Sequence, residues 1–373
     1  MTLPEQDWYV ISNVNELDSP ALVVYFDRVQ ENIRVLKSMI DDPLRLRPHI
    51  KTHKSKQVTQ LLMQSGIAKF KCATIAEAEM LADCRVSGVL LAYQPVGPKL
   101  HRLVSLIKQY PETSFSCLVD NEDAARQIAG IAAGEGLIIS VYLDLNTGMN
   151  RTGIPPGDAA IALYKLCFDL NGIRPVGLHL YDGHIRHEDF TERSRQCDES
   201  FNKAAQMSHA LTQAGYSQPL MITGGSPTYS IHCKRSQVEC SPGTFIYWDK
   251  GYKDLCPEQP FLPAALVITR VISMPDATRL CLDLGHKSVA SENVLTRRVH
   301  FLNAPLLNPV SHSEEHLVID AGHGHSFKIG DVLYGLPFHI CPTNALYERV
   351  FTVENGRYTG EWPVEARDRK IKI

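Results

Sequence analysis

The stretch "RPHIKTHK" (47–54) packs Arg47, His49, Lys51, His53 and Lys54 into eight residues. On an extended chain, alternation puts Arg47, His49 and Lys51 on one side and Leu46, Pro48 and Ile50 on the other. A lysine delivered at a strand end, out of water and among cations, has its charged form disfavoured. It then becomes a nucleophile suited to a Schiff base. A solvated basic strand end fits these eight residues equally well. Three other stretches bear on the choice. "ITGGSPT" (222–228) offers Gly224 and Gly225 for close backbone approach and the hydroxyls of Ser226 and Thr228, which suits a phosphate. "LNTGMNRTG" (145–153) presents Arg151 where an anionic oxygen could be held. "YDGHIRH" (181–187) brings Tyr181, His184 and His187. Taken singly, each fits an ordinary turn, a surface arginine or a solvated histidine. A fifth stretch, "PFHICPT" (337–343), sets His339 and Cys341 two apart, on one face of a strand. Imidazole and thiolate could there share one ion, Zn2+ first among common metals. A buried cysteine beside an unrelated histidine is the alternative.

These groups need elements to hold them. Strand-like runs at 21–26, 45–51, 69–74, 88–93, 115–119, 138–145, 175–182 and 219–225 alternate with amphipathic stretches. In "DRVQENIRVLKSMI", Val29, Ile33, Leu36 and Ile40 fall on one helical face, and "NEDA" opens with an Asn cap signal. Eight strands separated by helices predict an α/β architecture, a (β/α)8 barrel over 19–250 with an open doubly wound sheet as the alternative. Barrel chemistry sits at the C-terminal strand ends, where all four of the first stretches fall. Beyond 250, "ALVITRVISM", "RLCLDLG", "HLVID" and "DVLYGLPFHICP" are strand-like with no comparable helices between them. They predict a second, mostly β domain over 251–373, joined by residues 1–18.

The bulk numbers exclude some classes. A net charge of -3 suggests neither nucleic acid nor an anionic membrane as partner. No run of 18 apolar residues predicts a membrane span, and "MTLPEQDWYV" does not resemble a secretory signal. Ten scattered cysteines without a CxxC predict reduced thiols and a cytoplasmic protein.

Taken in order, "DSPALVVYFDRVQENI", "RPHIKTHK", "CATIAEAE", "GMNRTG", "YDGH", "TGGSPT", "EEH" and "LPFHICPT" resemble a fold-type III pyridoxal-phosphate family. It is the family of D-threonine aldolases and eukaryotic-type D-serine dehydratases, and the likeness runs over nearly the whole chain. The resemblance implies an alanine-racemase-like barrel that binds pyridoxal 5'-phosphate, a C-terminal β domain carrying the metal ligands, and a head-to-tail homodimer. By the same resemblance Lys51 is the Schiff-base lysine, and Arg151 lies near the phenolic oxygen of the cofactor. Tyr181 lies near its ring nitrogen, Thr223, Gly224, Gly225 and Ser226 hold its phosphate, and His187 is the general base of the aldolases. His339 and Cys341 are the metal ligands. Here the chain departs from the bacterial aldolases, which resemble it but carry His-x-Asp with Mn2+ or Mg2+; His-x-Cys is the zinc-type pair of the dehydratases.

The expectation is a lyase that cleaves D-3-hydroxy amino acids by a retro-aldol reaction, as D-threonine to glycine and acetaldehyde. The alternative is a zinc-dependent D-serine or D-3-hydroxyaspartate dehydratase. An amino-acid racemase, which needs a second base and no metal, and a non-catalytic cofactor carrier, which lacks a C-terminal β domain, fit less well.

Overall fold

In a computed structural model, which describes residues 8–373, the chain forms two compact units. One comprises 36–51, 58–243 and 368–373. The other comprises 52–57, 244–367 and, of the described N-terminal residues, 8–35.

In chain order, the first strand and helix are β1 (Ala21–Tyr25) and α1 (Phe26–Ser38), and then α2 (Lys56–Gln64). There follow β2 (Lys69–Cys72), α3 (Ile75–Asp83), β3 (Gly88–Leu91), α4 (Pro98–Gln109), β4 (Ser114–Val119) and α5 (Glu122–Gly134). Next come β5 (Ile139–Leu145), α6 (Asp158–Asp169), β6 (Ile173–Leu180), α7 (Phe190–Gln213), β7 (Leu220–Thr223), α8 (Tyr229–His232) and β8 (Val238–Cys240). Strands β2 to β8 pair in sequence order, all parallel, and each is a short, largely buried run as expected of a sheet covered by helices. Several of the helices begin at side-chain caps. Asn121 Oδ1 accepts from the Ala124 N–H at 2.9 Å, Thr74 Oγ1 from Glu77 at 3.0 Å and Asp189 Oδ1 from Glu192 at 2.8 Å.

The segment 46–49 bridges both edges of this sheet, Leu46 to Cys240 and His49 to Lys71. The Arg47 N–H donates to the Cys240 carbonyl and the Lys71 N–H to the Pro48 carbonyl, each at 2.9 Å. Pro48 has no N–H to give, so the segment makes bridges rather than a regular ladder. Within the sheet, Arg47 Nε meets Glu239 Oε2 at 2.6 Å, and Lys69 pairs with the other oxygen of the same carboxylate.

One strand assignment from the sequence needs correcting, and one strand is added. The run 21–26 is not the first strand of the parallel sheet. β1 lies in the other unit, antiparallel to β9 (Ala265–Ser273) and parallel to β15 (Arg349–Glu354). All five of its residues are buried, so it reads as a central strand without saying of which sheet. The three-residue β8, "VEC", closes the count instead; it was too short to see.

The second unit continues through α9 (Lys250–Leu255), β9, β10 (Arg279–Leu282), β11 (Val299–Phe301), β12 (Asn308–His312), β13 (Leu317–Asp320), β14 (Val332–Pro337), α10 (Ile340–Leu346), β15 and β16 (Arg357–Pro363). Its sheet runs β12-β13-β10-β9-β1-β15-β16, with β14 bridging β9 to β11. Ile11 and Leu17 are buried in its core with Val23, Tyr25, Leu266, Ile268, Leu336 and Val353, and Trp8 and Tyr9 pack against it. The expected joining of 1–18 to this domain thus covers 8–18; residues 1–7 lie outside the described ones. Among the described residues no helix is long and apolar enough to cross a membrane.

Candidate active site

Three cations of the parallel unit surround one phenol ring. Lys51 lies in a 3-10 turn, Ile50–Thr52, directly after the bridging segment. Arg151 comes from the loop after β5, and Lys71 from β2. Lys51 Nζ is 5.9 Å, Lys71 Nζ 5.7 Å and Arg151 Cζ 4.8 Å from the centroid of the Tyr181 ring, at the C-terminal end of β6. The sequence placed Lys51 on a strand; the backbone turns before it, and the lysine still reaches the strand-end face.

Lys71 was not singled out by the sequence, yet it is the perturbed amine. Its side chain is buried, and its Nζ lies 2.7 Å from His179 Nε2. His179 Nδ1 lies 2.7 Å from Asp144 Oδ1, and Thr152 Oγ1 donates to Asp144 Oδ2 at 2.8 Å. Burial and then Lys51, reinforced by Arg151, push the Lys71 ammonium down to about 7 against the pull of Asp144 and Asp182. Burial also lowers His179. Burial alone would raise Asp144, but His179, Thr152 and Lys71 outweigh it, and the carboxyl sits below its ordinary value. The consistent state is an Asp144 carboxylate accepting from His179 Nδ1–H, with His179 Nε2 accepting from Lys71.

Thr223, Gly224, Gly225 and Ser226, at the end of β7, are all buried. Gly224 has φ +71°, and a Cβ there would stand 2.6 Å from His232 Cδ2. A Cβ on Gly225 would meet Tyr181 Cε2 at 3.0 Å. Gly224 admits no side chain, and at Gly225 one would press on the Tyr181 ring. Beneath it is a network that sequence reasoning missed. Asp182 Oδ1 accepts from Thr228 Oγ1 at 2.8 Å, and Asp182 Oδ2 lies 2.8 Å from His232 Nε2. Arg235 Nη1 approaches His232 Nδ1 at 2.7 Å, and Cys197 Sγ is 3.3 Å from Nε2. The ligand atoms of Asp182, Cys197 and His232 fall within 4.8 Å of one another, a set that could hold a metal ion.

His187 does not join this cluster. It is exposed, and its Nδ1 accepts from the Asp189 N–H at 3.2 Å. Among the described residues no contact links it to Lys51, Arg151 or Tyr181.

In the other unit, His339 and Cys341 do not share a strand. β14 ends at Pro337, His339 is the N-cap of α10 and Cys341 sits in its first turn, where Pro342 is tolerated. The two side chains nevertheless meet. Burial would lower His339, but hydrogen bonding to Cys341, the charges of Cys341 and Asp249, and Glu292 raise it to about 9. His339 Nδ1 contacts Glu292 Oε1 at 2.5 Å. Cys341 Sγ lies 3.1 Å from Thr52 Oγ1 and 3.8 Å from Thr244 Oγ1. Asp249 Oδ2 accepts from the Ile340 N–H at 3.0 Å and so fixes the turn between the pair.

Comparison with known proteins adds to this geometry. Residues 24–250 match the family described as alanine racemase, N-terminal domain, and residues 264–353 a putative serine dehydratase domain. A D-threonine aldolase of Arthrobacter sp. is 25% identical over 94% of this chain and 93% of its own length. The D-threo-3-hydroxyaspartate dehydratase of Delftia sp. (strain HT23) is 23% identical over 89% and 93%. The crystal structure of D-threonine aldolase from Filomicrobium marinum superposes with a TM-score of 0.86 at 26% identity, covering 94% of this chain and 96% of that one. The parallel unit carries the lysines grouped around Tyr181, and the first match spans most of that unit. The chain therefore belongs to the alanine-racemase-like, fold-type III pyridoxal-phosphate family, and residues 264–353 match a putative serine dehydratase domain.

Proposed function

We propose that this chain is a pyridoxal-phosphate- and metal-dependent lyase that splits D-3-hydroxy amino acids between Cα and Cβ. The observation that carries the reading is the convergence of Lys51, Lys71 and Arg151 on Tyr181, beside a buried glycine loop that leaves no room for side chains. A flat, anionic aromatic cofactor fits such a place. Lys51 anchors it covalently, Arg151 and the uncharged Tyr181 face its ring, and Thr223, Gly224, Gly225 and Ser226 receive its phosphate. When bound, pyridoxal phosphate supplies an electron sink for the bond broken at Cα.

His339 and Cys341 are the residues to hold a divalent cation. Imidazole and thiolate together favour Zn2+, with Mn2+ or Mg2+ possible. When bound, such an ion would make a substrate hydroxyl more acidic. The chain's own bases then divide the outcome. If His187 takes the β-hydroxyl proton, the Cα–Cβ bond breaks and glycine leaves with an aldehyde. If Lys51 takes the Cα proton instead, the hydroxyl leaves as water, and the protein is a dehydratase of D-serine or D-3-hydroxyaspartate.

Aldol cleavage is the main reading because the aldolase likeness spans nearly the whole chain. Dehydration is favoured by one observation, the thiol of Cys341 beside His339, and by the Delftia relative. Racemisation ranks third, since the C-terminal match is of the dehydratase type. Ten cysteines, none in a disulfide, support a reducing, cytoplasmic setting, and the family resemblance supports a homodimer.

Product analysis tests the reading. D-Threonine should give glycine and acetaldehyde, and activity should vanish with chelator and return with Zn2+ or Mn2+. Borohydride should fix the cofactor on Lys51. Pyruvate and ammonia from D-serine, or 2-oxobutanoate from D-threonine, with no glycine, would make the protein a dehydratase.

A further inference from the structure

We propose that Lys71 is the proton-uptake group of the Tyr181 pocket, becoming an ammonium when an anionic ligand enters. The inference rests on the cofactor reading above. The residue is 3% exposed and projects from β2, and charged groups reach it from the elements packed against it. Lys51 and Arg151 are cationic neighbours; Asp144 on β5 and Asp182 after β6 are anionic. His179 on β6 accepts from its amine, and Tyr181 presents its ring at 5.7 Å. His49 of the bridging segment is its backbone partner.

In this balance the amine is neutral above about pH 7. It is held by a hydrogen-bonded chain, Thr152–Asp144–His179–Lys71, that runs across three strands of the sheet and ends in the pocket. A phosphate-bearing ligand changes the balance by up to two negative charges. One negative charge about 6 Å from an amine shifts its titration by on the order of two pH units at an effective dielectric of about 20. The lysine then binds a proton from solvent, and the ligand gains a third cation beside Lys51 and Arg151. A permanently charged residue would repel those two cations in the empty pocket; a titratable one does so only when the anion is present.

The test is calorimetric titration of the full-length protein, freed of cofactor, with 4-deoxypyridoxine 5'-phosphate. This probe lacks the aldehyde and so leaves Lys51 unmodified. Run at pH 8 in two buffers of different ionisation enthalpy, wild type should take up close to one proton more per site than Lys71→Met. Its affinity should fall toward tenfold per pH unit above pH 7.5 relative to that variant. Lys71→Arg, which keeps a permanent cation and guards against a folding defect in Lys71→Met, should bind without the extra uptake. Ionisations of the probe itself are common to all three proteins and cancel. Equal uptake in wild type and Lys71→Arg would overturn the assignment while leaving the cofactor reading intact. No binding of the probe to wild type would overturn both.

Discussion

Among the described residues, two places gather a histidine, a cysteine and a carboxylate, and they differ in exposure. Asp182, Cys197 and His232 are all buried, and protein groups answer them: Thr228 donates to Asp182, and Arg235 lies against His232 Nδ1. Burial pushes the Cys197 thiol up to about 12, so it stays protonated. An arginine beside the imidazole opposes a second cation. His339 and Glu292 are 41% and 46% exposed in their side chains, and the Nδ1 contact with Glu292 leaves His339 Nε2 free of that carboxylate. Ligand types close in space are thus not enough. The first set is buried beneath the glycine loop and answered by its own protein; the second is the more exposed of the two.

Replacing the donors should separate the two sets most sharply. His339→Ala and Cys341→Ala should each lose bound metal and metal-dependent turnover altogether while retaining cofactor absorbance. Cys197→Ala should keep its metal. Metal content by mass spectrometry and the visible spectrum decide it; a Cys197→Ala protein that lost its metal would reverse the comparison.

His187 tests the acid–base half of the proposal. As a positioned base it is worth about 10²–10⁴-fold in rate, so His187→Ala should slow glycine formation by that factor without altering metal content. An unchanged rate would agree with its exposed position and remove it from the mechanism.

Asp182→Asn tests the buried set from the other side. Weakening the buried hydrogen bonds that Asp182 accepts from Thr228 and His232 costs about 1–3 kcal/mol. The loss should appear in denaturant melts at fixed metal content. The pH dependence is consistent in sign: His232 and Thr228 hold the Asp182 carboxyl below its ordinary value against burial. That stability is present above the unfolded carboxylate value and is lost as pH falls through the depressed one. The variant should lose this acid-side slope.

The comparison also shows what the sequence could carry. Lys51, Arg151 and Tyr181 were legible because each lies at a strand end of a repeating β/α pattern, and they converge in the structure. The Asn121 cap was legible from four residues. The Asp182 network was not, because Cys197 and His232 lie 15 and 50 residues further along the chain and meet Asp182 only through the fold. Lys71 does carry a signal in the sequence. In "KFKC", alternation points Lys69 and Lys71 to one side of a barrel strand, and two inward lysines demand partners, which Glu239 and His179 supply. β1 was misassigned because an entirely apolar strand carries no mark of its sheet.

The smallest effect concerns Glu292. A metal-bound histidine commonly gives its second ring N–H to a carboxylate, which fixes the tautomer and the ring's direction. His339 Nδ1 meets Glu292 Oε1 at 2.5 Å, so Nε2 is the nitrogen left to ligate. Glu292→Gln keeps the size and an acceptor oxygen but removes the charge that strengthens this contact. Loss of such a partner weakens metal binding by about 10–100-fold. Competition with a chromophoric chelator should show this fall in zinc affinity, and activity should return at saturating zinc because both ligands remain. An unchanged affinity would mean that Glu292 merely shares the surface with His339. A loss of turnover that excess zinc did not restore would give the carboxylate a part in the chemistry itself.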